Sequence, residues 1–283
     1  METNHSSEFV VQFWGVRGSV PSPGAETVRY GGNTSCVEMR VGGKRLIFDG
    51  GTGLRMLGKS LRSQMPVKTY MFFTHYHWDH IQGVPFFIPE FSEANCFHIH
   101  GQVPTEGISM EKHFREHVLH LESPVPMGKI EAELNFHDLV CGDDFYLDDI
   151  EIETDKLNHP NGAMGYRVTW QDHSIVYCTD TEHLQEGLDQ NVLHLARDAD
   201  ILIYDAMYTD DEYNDPKASK VGWGHSTWQE GVKIAKAAGV KRLVIFHHEP
   251  SHTDDFLDQV ALEVKDVFPG GIMAREGLIV SAI

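Results

Sequence analysis

Val67-Lys-Thr-Tyr-Met-Phe-Phe73, followed by His75-Tyr-His-Trp-Asp-His80, sets four metal-binding side chains within six residues directly behind an apolar run. The apolar run reads as a buried strand. A loop at its end can gather imidazoles and a carboxylate, the donor set that suits zinc and neighbouring divalent ions. The plainer reading is chance clustering on a solvated loop. It loses ground because further histidines and aspartates follow at element ends downstream, where one centre could collect them. The expectation is a two-metal hydrolytic site.

A chain of 283 residues can bury a full core, as one large α/β domain or two small ones. No apolar segment approaches the ~20 residues that span a bilayer, so no membrane partner is expected. Met1 to Glu8 is short and polar, without a charged segment leading into an apolar one, and the expected location is cytoplasmic. Cys36, Cys96, Cys141 and Cys178 are widely spaced, which argues against disulfides and a thiolate metal site. Cys178 reads as a small buried hydrophobe. The formal net charge of −19 should repel a long polyanion, and no run of basic residues offsets it. A small anion is different, because two divalent cations would reverse the local potential inside a cleft.

Strands and helices alternate along the chain, which implies layered α/β architecture. Strands are expected at Phe9 to Val16, at Cys36 to Val41 and Lys44 to Asp49 (a hairpin turning at Gly42-Gly43), and at Val67 to Phe73. Others are expected at Ile150 to Thr154, Ala163 to Trp170, Ser174 to Thr179, Ile201 to Asp205, Leu243 to Phe246 and Gly277 to Val280. Helices are expected at Leu54 to Leu61, Glu182 to Arg197, Thr227 to Ala238 and Asp255 to Val267, the third capped by Ser226 or Thr227. The acidic stretch from Asp138 to Asp155 reads as a solvated, turn-rich face. Residues 100–136 are the least regular. They carry a helical pattern from Met110 to Leu121 with His113, His117 and His120 on one side, and read as a lid-like insertion in a single domain. His98 and His100 alternate in a strand and read as structural; His173 and His183 read as solvated.

The H-x-H-x-D-H run after a buried strand resembles the metallo-β-lactamase superfamily, in which a third histidine, a bridging aspartate and a final histidine follow in order at strand ends. His159 in Asn158-His-Pro-Asn-Gly162, Asp180 in Cys178-Thr-Asp-Thr181, and His247 in Ile245-Phe-His-His-Glu249 supply them. The resemblance implies a four-layer αβ/βα sandwich. It implies that His75, His77 and His159 bind one metal, that Asp79, His80 and His247 bind a second, and that Asp180 bridges the two. Two such metals, ~3.5–4 Å apart, can activate a shared water and clamp a phosphoryl oxygen. His248 competes with His247 for the last position, and His247 is preferred because it directly follows the strand. A histidine at position 77, where the oxygen-reducing di-iron branch carries a carboxylate, favours hydrolysis. Zinc is the expected metal, although these ligands also accept manganese or iron.

Gly224-His-Ser-Thr227, opening a helix before the last ligand, is similar to the phosphodiesterase branch of that superfamily, which includes ribonuclease Z and the cyclic phosphodiesterases. There the matching histidine contacts the phosphate and protonates the leaving oxygen, a role that falls to His225. Asp205 would align it, Ser226 would contact substrate beside it, and Asp79 joins them among the catalytic groups. Phe13-Trp-Gly-Val-Arg-Gly-Ser-Val-Pro21, Gly31 to Cys36 and Asp49-Gly-Gly-Thr-Gly53 are similar to the opening of the same branch, and Arg17 is a candidate phosphate contact. Ribonuclease Z proteins typically insert a long basic arm between the third histidine and the bridging aspartate; here little more than one hairpin separates His159 from Asp180. The expected activity is therefore a dinuclear phosphodiesterase acting on a small anionic substrate, a cyclic nucleotide or related cyclic phosphate, with no large nucleic acid as partner. Ribonuclease Z-like RNA processing, thioester or lactone hydrolysis, and a non-catalytic metal-dependent sensor are the rival readings. A homodimer is suggested by the resemblance alone.

Overall fold

Two seven-stranded mixed sheets lie face to face with helices on their outer sides, in a computed structural model that describes residues 8–103, 108–118 and 130–283. The first sheet holds β1 (Phe9–Gly15), β2 (Cys36–Val41), β3 (Lys44–Phe48), β4 (Lys68–Phe73), β5 (Cys96–Gln102), β6 (Glu133–Leu139) and β14 (Ile279–Ser281). The second holds β7 (Asp144–Leu147), β8 (Ile150–Leu157), β9 (Ala163–Trp170), β10 (His173–Cys178), β11 (Ile201–Asp205), β12 (Arg242–Phe246) and β13 (Gly271–Met273). Their strand orders, β14-β1-β2-β3-β4-β5-β6 and β13-β12-β11-β10-β9-β8-β7, mirror one another. Each sheet has an antiparallel part and a run of four parallel strands, β3 to β6 and β10 to β13.

Alternation along the strands makes the central layer. Phe9, Val11 and Phe13 of β1 face Ile201, Ile203, Val244 and Phe246 of the opposite sheet in one shared core. On the outer side of the second sheet, α4 (Gln190–Ala196), α6 (Trp228–Ala238) and α7 (Asp254–Val267) cover Val176, Leu202 and Leu243. On the outer side of the first, α1 (Gly53–Leu61) covers Ile47, Met71 and Phe73, while α2 (Trp78–Ile81) and α5 (Asp210–Tyr213) are single turns. The αβ/βα sandwich expected from the sequence is therefore the observed architecture. Helix α6 starts at Thr227, whose hydroxyl accepts from the Glu230 N–H, and stops at Gly239 in the left-handed conformation.

Several boundaries differ from expectation. The helix from Glu182 to Arg197 is only α4, because Gly187 takes a positive φ and Asp189 caps the chain at Asn191 and Val192. The acidic stretch from Asp138 to Asp155 is ordered into the end of β6, the short edge strand β7 and the start of β8. Strands β6, β7 and β13 went unread; the last two are short, and β13 opens on glycine. In the irregular segment, α3 (Met110–His113) passes into a π-helical turn at Phe114–Val118, with Met110 and Phe114 buried beside Phe73. The side chain of His117 and all of His120 lie outside the described residues, as do 104–107 and 119–129 of the lid-like insertion.

Candidate metal centre

The parallel strands of both sheets end at one rim, and the chemistry sits there, as the carboxyl ends of parallel strands favour. Strand β3 delivers Asp49, β4 the His75 loop, β10 Asp180, β11 Asp205 and β12 His247; the β8–β9 turn adds His159. Their donor atoms form three overlapping groups that could hold a metal; one, Asp180, Asp205, His225 and His247, takes in the His225–Asp205 pair, and the other two match the expected ligand sets. Of those two, the first comprises His75, His77, His159 and Asp180, and the second Asp79, His80, Asp180 and His247. Asp180 belongs to both: Oδ2 lies 3.6 Å from His75 Nε2, while Oδ1 lies 3.1 Å from His80 Nε2 and 3.2 Å from His247 Nε2. Asp79 Oδ2 completes the second group at 3.3 Å and 3.4 Å from the same two nitrogens.

Hydrogen bonds around the rim settle which nitrogens face inward. Gly224 offers His159 Nδ1 only a carbonyl oxygen, at 3.0 Å, so Nδ1 donates and Nε2 is left with a lone pair. His80 Nδ1 donates to Asp49 Oδ2 at 2.8 Å. His75 Nδ1 meets the Thr74 hydroxyl, which donates on to Asp49. His77 Nδ1 lies 3.2 Å from His159 Nε2, and the Asn161 amide lies 2.9 Å from its other nitrogen. The Asn161 contact is made by its NH2 group, which donates to His77 Nε2, so His77 Nδ1 carries the ring proton and donates to His159 Nε2. A cation in place of that proton would find the two nitrogens at about the separation that two Zn–N bonds of ~2.0–2.1 Å at a tetrahedral angle give.

Burial and charge agree with this donor chemistry. The Nε2 atoms of His75, His80 and His247 are buried without a hydrogen-bond partner. Burial, then the neighbouring His80, holds the His75 imidazole well below its ordinary pKa. Burial raises the Asp180 carboxyl, but the charges of His247, His80 and His75 outweigh it and hold it well below the carboxylate range. Burial likewise opposes protonation of His80, and Asp180, Asp79 and Asp49 reverse that. Buried carboxylates thus demand positive charge here, and divalent cations would supply it while leaving the imidazoles neutral. The residues fit a divalent metal site.

Close approach at the rim constrains the backbone. Asp49, Asp180 and His247 all take left-handed conformations, at φ of 60°, 56° and 64°. That costs a non-glycine residue about 1–2 kcal/mol, least for aspartate. A Cβ on Gly18 would lie 2.7 Å from the His247 ring, and one on Gly224 2.3 Å from His159 Nδ1. The Ser19 N–H donates to Asp79 Oδ2 at 2.7 Å. Reading for ligands missed this supporting layer of Ser19, Asp49, Thr74, Asn161 and Tyr177, whose hydroxyl donates to Asp49 at 2.9 Å. Only Asp49 had a legible signal: a carboxylate at a strand end, inside a block noted for its glycines.

His225 stands beside the second group, its ring stacked 5.0 Å from His247. Its Nδ1 donates to Asp205 Oδ2 at 2.8 Å, and Asp205 Oδ1 is held by the Met207 N–H at 3.1 Å. Burial lowers the His225 pKa, but Asp205 outweighs it and raises the group to about 9. Dications alongside would work against that rise.

Two expected substrate contacts lie elsewhere. The Arg17 guanidinium is fully buried and donates to the carbonyls of Gly31, Glu249 and His252, so it ties loops together and does not meet a phosphate. The Ser226 hydroxyl is buried between Tyr204 and His183. His183, read as solvated, is held by that contact and by the Tyr213 ring at 4.4 Å. His248 turns away to the Ala274 carbonyl, which leaves His247 at the centre. Cys36 and Cys178 are buried free thiols. A cavity of about 230 Å³ opens beside the centre, lined by His75, Tyr76, His77, Gln102, His113 and Asn161.

The profile of the beta-lactamase superfamily domain matches residues 44–248. The chain belongs to this superfamily. It is 27% identical to the ribonuclease Z of Picrophilus torridus, over 96% of both chains. It is 25% identical to that of Lactococcus lactis, over 94% of this chain and 97% of the other. The metallo-beta-lactamase fold protein YhfI from Bacillus subtilis superposes with a TM-score of 0.72 at 21% identity, covering 96% of this chain and 98% of its own. The resemblance read from the motifs is borne out, and the chain is a metal-dependent hydrolase. One expectation is overturned. Relatives matched over nearly their whole length are ribonucleases by name, so net charge and a missing arm do not exclude a large nucleic acid as partner. Net charge averages over a surface, whereas binding depends on local potential at the cleft. Among the described residues, no helix is long and apolar enough to cross a membrane.

Proposed function

We propose that this hydrolase cleaves phosphodiester bonds of nucleotides, and that a small cyclic phosphate such as a cyclic nucleotide is among its substrates. The observation that carries the reading is the His225–Asp205 couple, 2.8 Å across, beside donor groups that share Asp180. His75, His77, His159 and Asp180 Oδ2 would hold one cation; Asp79, His80, His247 and Asp180 Oδ1 would hold the other. Five imidazoles and two carboxylates suit zinc best, with manganese or iron admissible. When bound, two divalent cations lower the pKa of water towards ~7 and neutralise charge on a phosphoryl oxygen.

The protein's own groups do the rest. Asp205 holds the His225 ring by Nδ1, which keeps Nε2 for the substrate. A proton on Nε2 is what a strongly basic alkoxide leaving group needs, and the Asp205 carboxylate at Nδ1 favours the protonated ring. Thioester cleavage, which expels a weakly basic thiolate, makes no such demand. The described part of the 100–136 segment brings the His113 ring to 4.6 Å from Tyr76, which supports the reading of that segment as a cover for the cavity. RNA cleavage is the second reading, favoured by the ribonuclease Z relatives.

The test is a panel of 2′,3′- and 3′,5′-cyclic nucleotides, an aryl phosphodiester, precursor tRNA, a thioester and a lactone, run on metal-analysed protein. His225→Ala should lower phosphodiester turnover about 10²–10⁴-fold with metal content intact. Full activity of this variant on the best substrate overturns the assignment. Precursor tRNA turned over faster than any cyclic nucleotide makes RNA the primary substrate.

A further inference from the structure

The chain exposes two large aromatic rings beside the centre: Trp78 is 82% exposed and Trp223 57%. Each adjoins a residue that touches the His159 pair, since Trp78 follows His77 and Trp223 precedes Gly224. Trp223 is the better placed. The turn Lys220-Val-Gly-Trp223 is closed by the Trp223 N–H on the Lys220 carbonyl at 3.1 Å, with Gly222 at φ 85°. That closure sets Lys220 Nζ 4.3 Å from the Trp223 ring centroid and 5.6 Å from that of Tyr208. Tyr208 in turn stands edge-on to His225, at 6.3 Å.

This turn is fastened to the centre. The buried Glu182 carboxylate accepts from the Gly222 N–H at 2.7 Å and the Gly224 N–H at 2.8 Å, and also from the Tyr213 hydroxyl. Its own backbone is paired with Asn158, next to His159. Lys220 has no carboxylate partner among the described residues. In a chain of net charge −19, an unpaired cation with an exposed indole, two residues before His225, is not what solvation of a surface turn requires.

We propose that Trp223 and Lys220 form a nucleotide subsite: a base of the substrate stacks on the open face of the indole, and an adjacent phosphate meets the Lys220 ammonium. The subsite rests on the phosphodiester reading and names the substrate class for it. Flat, sequence-tolerant stacking with a cation nearby is how proteins hold single nucleotides and single strands.

Two 4-nitrophenyl esters separate the possibilities, one of thymidine 5′-phosphate and one of methyl phosphate. Trp223→Ala should lower the ratio of their kcat/KM values about tenfold, within the range of base–aromatic stacking. Trp223→Phe should restore most of it, which a merely misfolded loop would not do. Calorimetry of thymidine monophosphate with metal-loaded protein should show Kd weakened about tenfold in Trp223→Ala. Lys220→Gln should narrow the affinity gap between thymidine monophosphate and thymidine. An unchanged ratio with an unchanged Kd overturns the subsite. Wild type that hydrolyses neither ester, no cyclic nucleotide and no precursor tRNA, yet binds the nucleotide through Trp223, overturns the phosphodiester reading and keeps the subsite.

Discussion

Two places in this molecule bring imidazole nitrogens equally close. At the rim, His77 and His159 stand 3.2 Å apart; on the edge of the first sheet, His98 and His137 stand 3.1 Å apart. At the rim, the Gly224 carbonyl on His159 and the Asp49 carboxylate on His80 turn Nε2 lone pairs inward, and Asp180 brings a carboxylate oxygen to each donor group. On the sheet edge the far nitrogen of His98 meets the Cys96 sulfur at 3.8 Å rather than a carbonyl or a carboxylate, and one ring can donate to the other in an ordinary N–H···N bond. There the histidines form a ladder of rings instead. Tyr70 stacks on His98 at 4.9 Å, His98 on His137 at 5.3 Å, His137 on His100 at 4.4 Å, and His100 on Phe72 at 4.6 Å. Proximity of histidines does not make a metal site. Convergent lone pairs and a shared carboxylate do.

The sharpest way to break that contrast is Asp180→Asn. It should lower activity at least about a thousandfold and release metal, because one change weakens both donor groups. His137→Gln should leave metal content by elemental analysis unaltered. Metal loss from the His137 variant, or retention with full activity in the Asp180 variant, would falsify the distinction.

A smaller effect probes the supporting layer. Asp49 accepts from His80, from Thr74 and from Tyr177 of the opposite sheet, so Asp49→Asn should weaken metal binding about 10–100-fold in chelator competition. The ring ladder should keep its fluorescence and stability in the metal-free protein. If Asp49→Asn binds metal like wild type, the hydrogen bond to His80 does not orient that ligand.

The smallest effect belongs to the ladder. Burial first, then His137 and His98, pull the His100 pKa down to about 3. Its unfolded value is about 6.5, so the unfolded chain binds a proton the folded chain refuses as pH falls below that value. The stability His100 confers is full at pH 7 and is lost progressively as pH drops towards 3, with about 2 kcal/mol gone at pH 5. His100→Phe should keep the stacking and shrink the difference between urea midpoints at pH 7 and pH 5. Equal differences in both proteins would mean that His100 is not neutral in the fold.

Much of the site was legible because its donors mark element ends. His75 to His80 are contiguous, and each later ligand follows or precedes a strand whose apolar run is plain in the sequence. Asp205 was paired with His225 through the resemblance to the phosphodiesterase branch. Arg17 and Ser226 misled for the opposite reason. Both sit in motifs beside the centre, and only packing reveals that the guanidinium is buried, with Nε and Nη1 donating to three carbonyls, and that the hydroxyl is held by Tyr204 and His183. The helix expected from Glu182 failed similarly, since its carboxylate is committed to two amide groups forty residues away.

What the amino-acid sequence by itself determined is the layered architecture and the identity of the donors, because periodicity and residue chemistry are local properties. What only the tertiary structure decided is direction: which nitrogen of each ring faces inward, which oxygen of Asp180 meets which donor group, and which polar side chains are spent on backbone. Those depend on hydrogen bonds between residues far apart in the chain, and a bond's geometry exists only once both partners have been brought together.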